Sequence, residues 1–202
     1  MLTISDLEVY HHHQKIFSQV GFSLPLGCCL LIKGKNGIGK TSLLKAIAGI
    51  CKAQKGQIFW QKQNITQILP NFQRDLKFIG HKNFFKPQLS VLENLMFYSR
   101  LTNTEITLPM AMHFFNLTEI CHHQIKKLSA GWQQRCLLAL LLTYDATLWL
   151  LDEPTKNLDT SGKQQLKGLI KTKIMQNGIV IIATHTNFFD DLGQSLFLQD
   201  FI

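Results

Sequence analysis

Three short apolar runs without a polar break stand out along the chain, at residues 28–32, 148–151 and 179–183. Runs of that length suit strands buried on both faces of a parallel sheet. Weaker alternation predicts further strands at 2–9, 22–24, 56–60 and 76–80, and an edge strand at 195–199. Helical spacing joins Leu166, Leu169, Ile170 and Ile174, which predicts a helix from about 160 to 176. Ser90 and Glu93 are spaced as a capping box for a helix ending near Arg100. Residues 102–108 read as a loop, and 110–116 and 119–123 as short helices. Ser129 is placed as a helix cap, and 133–144 is apolar nearly all round, so that helix is buried. Strands and helices thus interleave as in an α/β fold. Residues from about 82 to 146 form a mostly helical insertion between sheet strands. With no repeat, linker or low-complexity tract, 1–202 reads as a single domain. Its core spans roughly 1–81 and 147–202, and its helical subdomain roughly 82–146.

The chemistry begins where two of the apolar runs end. The run at 148–151 passes straight into Asp152, Glu153 and Pro154. In open α/β sheets, ligands bind at the carboxyl ends of the strands. Two adjacent carboxylates there suit a metal ligand and a proton acceptor, or an ordinary strand end with two solvated acids. The run at 28–32 decides between these. It leads into Gly34-Lys35-Asn36-Gly37-Ile38-Gly39-Lys40-Thr41, followed by Ser42 and a helical stretch to Ala48. That is the phosphate-cradling loop, Gly-x-x-x-x-Gly-Lys-Thr, with the required strand before it and helix after it. Its amides can surround phosphates, and the helix N-terminus adds a partial positive charge. Lys40 would reach the β- and γ-phosphates, and Thr41 would ligate magnesium. The run at 179–183 ends at Thr184-His185, so His185 faces the same edge as Asp152.

Composition narrows the setting. Apolar residues make up 46% and charged residues 17%, enough for a core and unlike a disordered chain. The net charge of +8 favours anionic partners: nucleotide, nucleic acid or a membrane surface. No basic run of the nucleic-acid-arm kind occurs, and no nucleic-acid partner is expected. Five cysteines without a Cys-x-x-Cys spacing point away from disulfides and zinc knuckles, towards a reducing cytoplasm. No run approaches the roughly 20 apolar residues of a membrane span, so work at a membrane requires another chain as anchor. Tyr10-His11-His12-His13 reads as a polar loop, because consecutive residues of an extended chain face opposite ways. Tyr10, or one of these histidines, is a candidate to stack on a nucleotide base. His122-His123 reads as a solvated helix end.

The ordered set of 34–41, 128–132, 148–153, 157–159 and His185 resembles the ATP-binding subunit of ABC transporters, over nearly the whole chain. The resemblance implies a P-loop NTPase fold of ABC ATPase type. Such a fold has a central mixed or parallel sheet, an antiparallel N-terminal β part and an inserted helical subdomain. It implies ATP and magnesium as ligands, with residues 34–42 around the phosphates. Thr41 and Asp152 would serve the metal, Glu153 would be the general base, and Lys40 and His185 would act on the γ-phosphate. It further implies that Ser129, Ala130 and Gly131 contact the nucleotide of a second copy, with Asp159 at the boundary between the two. Ala130 and Trp132 depart from the usual Leu-Ser-Gly-Gly-Gln, and His81-Lys82 stands where a glutamine loop is usual.

Within that family the chain is most similar to the ATP-binding subunits of cytochrome c maturation haem exporters. The likeness rests on 78–81 followed by 92–95, on Leu-Ser-Ala-Gly at 128–131, and on Ala146-Thr147-Leu148-Trp149. It implies transmembrane partner subunits of that exporter and a peripheral place on the cytoplasmic face of the inner membrane. Three other readings stay open: the ATPase subunit of another small ABC exporter, a soluble ABC-type ATPase acting on nucleic acid, and a nucleotide-gated scaffold with negligible turnover.

Overall fold

The chain begins with two long antiparallel strands, β1 (Leu2–His11) and β2 (Gln14–Leu24). They carry the first sheet well beyond the alternation at 2–9 and 22–24. Tyr10 pairs with Lys15 and His11 with Gln14, so Tyr10 and His11 belong to a strand and not to a polar loop. The computed structural model describes every residue except His12, His13 and Lys82, and also leaves out the His11 side chain. Pairing also explains the length of β2. Its polar residues face outward while Phe17, Val20 and Leu24 are buried. After β3 (Cys29–Lys33) and α1 (Lys40–Ile47), β4 (Lys55–Trp60) and the two-residue β5 (Gln63–Asn64) complete an antiparallel sheet in the order β2-β1-β4-β5.

A short helix, α2 (Leu69–Arg74), which the apolar pattern did not announce, precedes β6 (Leu76–Ile79). Pro70 lies in its first turn, where a missing amide hydrogen costs nothing. The helical elements are α3 (Val91–Leu101), α4 (Leu108–Phe114) and α5 (Ala130–Ala139), and then come β7 (Leu148–Asp152), α6 (Thr160–Met175), β8 (Ile179–Thr184) and β9 (Gln194–Phe197). The second sheet runs β6-β7-β8-β3-β9, and all its pairs are parallel. Every residue of β3, β7 and β8 is buried, as their unbroken apolar runs require. One continuous core joins both sheets through α1, with Leu43, Leu44 and Ile47 among Leu2, Phe17, Trp60, Leu150 and Ile181.

Two compact units divide the chain. The first takes Met1–Gly80, Ala146–Glu153 and Ile170–Ile202, and the second His81–Asp145 and Pro154–Leu169. Within the second, Ser90 and Glu93 form the capping box at the start of α3. The stretch 119–123 forms turns and not a helix. Its carbonyls are engaged elsewhere: Cys121 and His123 accept the amides of Leu92 and Val91, two orphan donors of the first turn of α3. His122 and His123 are exposed. The expected loop at 102–108 contains a 3-10 turn, Glu105–Thr107, and α5 passes into another, Leu140–Leu142.

Candidate functional site

The loop between β3 and α1 is shaped to surround an anion. Gly34, Lys35, Asn36, Gly37, Ile38 and Gly39 lie between strand and helix, and Lys40, Thr41 and Ser42 form the first turn of α1. That turn has no acidic residue, so its free amides and dipole face no competing carboxylate of their own helix. The Lys40 side chain, only 6% exposed, bends back over the loop. Its Nζ donates to the carbonyls of Gly34 (2.7 Å) and Lys35 (3.1 Å) and lies 3.7 Å from Glu153 Oε1. The ammonium thus occupies the mouth of the loop, satisfied by neutral carbonyls and one carboxylate.

The carboxyl ends of β7 and β8 bring the other groups to this loop. Asp152 is buried at the end of β7 and accepts the Thr41 hydroxyl on Oδ2 at 2.7 Å. Glu153 turns out of the strand with φ 49°, a conformation rare outside glycine, while its amide still donates to the Ala183 carbonyl at 2.9 Å. Such backbone strain concentrates at functional sites. The turn leaves the Glu153 carboxylate 2.9 Å from His185 Nδ1, just beyond β8, with the imidazole itself more than half exposed. Lys40, Thr41, Asp152, Glu153 and His185 therefore share one edge of the parallel sheet. Thr41 Oγ1 and Asp152 Oδ2 are two hard oxygen donors within 2.7 Å of each other. They fit magnesium, which takes one or two protein oxygens and fills its remaining positions with water and phosphate. Among the described residues no cluster of three His, Cys, Asp or Glu competes with that pair as a metal site.

Tyr10 and the predicted residues of the second unit make contacts of their own. Tyr10 is half-buried near the end of β1, with its hydroxyl donating to Glu8 Oε1 at 2.8 Å and its amide to Gln54. In the second unit Ser129 caps α5 by accepting the Trp132 amide at 3.3 Å. Ala130 is exposed, and Gly131 packs so closely against the segment 155–159 that a Cβ there would lie 2.8 Å from the Asn157 carbonyl oxygen. Asp159 bonds the Arg135 guanidinium at 2.6 Å and the Gly162 amide at 2.9 Å. The Gly162 amide, then Arg135, hold its carboxyl below the usual carboxylate range. Ser129, Gly131, Trp132, Arg135, Asn157 and Asp159 line a cavity of about 490 Å³. His81 is exposed, with its Nε2 at 3.2 Å from Lys156 Nζ, and Lys82 lies outside the described residues.

Two residues of this picture escape a reading of the sequence. Arg135 is buried in α5 and links it to Asp159 and to Gln165, at 2.8 Å. Its signal was a lone arginine inside an apolar helix. Lys33 is the second, a lysine ending an otherwise apolar strand.

The chain matches the ABC transporter family over residues 17–156. It is 34% identical to the cytochrome c biogenesis ATP-binding export protein CcmA of Vibrio cholerae, over 95% of this chain and 94% of that protein. With the protein of the same name from Rickettsia bellii it shares 36% identity, over 92% and 93% of the two chains. Among solved structures, a putative ABC transporter ATP-binding protein from Pyrococcus furiosus superposes with a TM-score of 0.84 at 25% identity, covering 99% of this chain and 98% of that one. No helix among the described residues is long and apolar enough to cross a membrane. The fold, the phosphate loop and these likenesses agree: the chain belongs to the ABC transporter family, as a nucleotide-binding ATPase subunit.

Proposed function

We propose that the chain is the ATP-hydrolysing subunit of a cytochrome c biogenesis export complex. It would lie on the cytoplasmic face of the inner membrane and be held there by transmembrane partner subunits. The two units act as nucleotide-binding core and helical subdomain of one ATPase domain. The observation that carries the chemistry is the meeting at Glu153 Oε1 of His185 Nδ1 (2.9 Å) and Lys40 Nζ (3.7 Å). The exporter assignment is supported by the names of relatives similar over more than nine-tenths of the chain.

In this reading residues 34–42 enclose the phosphates of ATP. Lys40 exchanges the carbonyls of Gly34 and Lys35 for β- and γ-phosphate oxygens, replacing neutral acceptors with charged ones. Thr41 and Asp152 would hold a magnesium ion, whose charge when bound offsets that of the phosphates. Glu153 takes a proton from water as the water oxygen bonds to the γ-phosphorus. The bond to the β–γ bridging oxygen breaks, and ADP and phosphate leave. His185 keeps the Glu153 carboxylate in place and presents its ring to the γ-phosphate. Two copies face head to tail, so that Ser129, Ala130 and Gly131 of one meet the γ-phosphate held by the other, with Asp159 at the boundary. Tyr10 stacks on the base.

The test is Glu153→Gln in the chain purified with its membrane partners. Nucleotide binding should persist while turnover falls by about 10²–10⁴; undiminished hydrolysis overturns the role of Glu153. Gentle solubilisation of native membranes should recover this chain with polytopic cytochrome c maturation subunits. Recovery with a different transporter would refute the exporter assignment and leave the ATPase chemistry standing. Recovery with nucleic acid would refute the membrane role as well.

A further inference from the structure

β3 is an apolar strand that ends on a charge. Lys33 is its last residue, immediately before the phosphate loop, and its side chain is 11% exposed. A buried ammonium is costly unless paired and hydrogen-bonded. Both partners come from the segment after His185: Asp190 Oδ1 at 2.5 Å and Asn187 Oδ1 at 3.0 Å. The same segment is fastened at its start, where the Thr186 amide donates to Thr184 Oγ1 at 3.2 Å, and in the middle by the fully buried Phe189. Register puts Lys33 directly beside Thr184 in the sheet. His185 is thus the exposed residue between two fixed points, the end of β8 and the Lys33 clasp.

We infer that Lys33 is a positioning residue for hydrolysis: it fixes the 186–190 segment, so that His185 is held against Glu153 and linked mechanically to the phosphate loop one residue away. This rests on the proposed roles of His185 and Glu153. Half of the His185 side chain is in solvent, and its only fixed polar contact among those described is Glu153 Oε1. An imidazole on a free loop would sample many orientations, and ordering it costs conformational entropy at each turnover. A clasp that has already closed the loop removes that cost. A purely structural lysine had no need of partners from the histidine segment, since methionine fills an apolar strand end as well.

The test uses the full chain with its membrane partners and reads kcat and KM for ATP separately. Lys33→Met should lower kcat by about ten- to a hundredfold, the scale of a misplaced reacting group, with KM changed less than about twofold. Asp190→Asn opens the clasp from its exposed side, without a hole in the core, and should do the same if Lys33→Met fails to fold. Lys33→Arg keeps the ion pair and should recover most of the turnover. In a His185→Ala background, Lys33→Met should cause no further loss. Normal kcat in both Lys33→Met and Asp190→Asn while His185→Ala is impaired would overturn the inference, as would losses that multiply in the double variant. Normal turnover in His185→Ala and Glu153→Gln would instead overturn the site reading beneath it.

Discussion

The phosphate loop contains an internal control for its own geometry. Gly37 and Gly39 both have positive φ, 82° and 110°. An alanine at either site is forced into a left-handed conformation, at about 1–2 kcal/mol. The two differ in what a Cβ would meet. At Gly37 there is nothing within 4 Å, whereas at Gly39 it would run into the Ile16 side chain and lie 3.4 Å from Phe17 Cδ1. Ile16 is half-buried and β-branched, so its stiff side chain does not give way cheaply. Overpacking of that kind adds about 1–3 kcal/mol. Both substitutions recover about 0.4–1 kcal/mol by restricting the unfolded chain. Gly37→Ala should therefore cost about 1 kcal/mol and Gly39→Ala about 2–4 kcal/mol, the gap being the contact with β2 alone. Urea unfolding of the nucleotide-free chain measures both, provided the slope is unchanged. Equal losses would refute the close approach of the loop to Ile16. A larger loss at Gly37 would refute the description of the loop.

Other consequences follow from single contacts. Thr41→Val removes one of the two oxygens suited to magnesium. ATP affinity should then lose most of its difference between magnesium and EDTA, at least about tenfold, as read by isothermal titration. Ser90→Ala abolishes the capping box of α3 and should cost about 0.5–2 kcal/mol in urea unfolding. The Asp159 carboxyl has its pKa lowered by the Gly162 amide and by Arg135. Its contribution to stability is therefore complete above the ordinary carboxylate range and lost as pH falls through the depressed value. Asp159→Asn should flatten the acid limb of the stability–pH curve; an unchanged limb would refute the pairing.

What the sequence disclosed, and what it hid, follow one physical line. The three central strands were legible because burial on both faces leaves no polar residue in them before the last position, and the phosphate loop because its chemistry tolerates few substitutions. The capping box at Ser90 and Glu93 and the turn into α5 at Ser129 were legible for the same local reason. Features decided by pairing were not. β2 is long because β1 lies beside it, and Tyr10 and His11 are strand residues because Lys15 and Gln14 oppose them. The stretch 119–123 folds as turns, and its Cys121 and His123 carbonyls accept the first amides of α3. In the site, Lys40, Thr41, Asp152, Glu153 and His185 were each visible at a strand end or motif position. Two long-range pairs were not: Lys33 with Asp190 beside this edge, and Arg135 with Asp159 inside the second unit, join residues 157 and 24 positions apart.

The register of three parallel strands ties these contacts together. Asp152 is level with Ala183 on β8, and Lys33 of β3 is level with Thr184. One position further along, Thr184 and Lys33 stand side by side at the sheet edge, and Glu153 follows Asp152 out of β7. Asp152 lies on the same face of β7 as Leu148 and Leu150, which pack with α1, and so meets Thr41 at the start of that helix. A slip of one residue between β7 and β8 would turn Asp152 to the opposite face, because side chains alternate with a period of two. It would also move Glu153 along the strand by about 3.3 Å, beyond hydrogen-bond reach of His185. The apolar runs at 148–151 and 179–183 are thus more than core: by pinning the register they fix where the carboxylates and the imidazole emerge. The positive φ of Glu153 then does what the register cannot. Regular alternation would send residue 153 to the face away from α1 and the phosphate loop, and the left-handed turn brings its carboxylate back towards Lys40. The strain at that one residue is the local cost of placing two consecutive carboxylates at the same site.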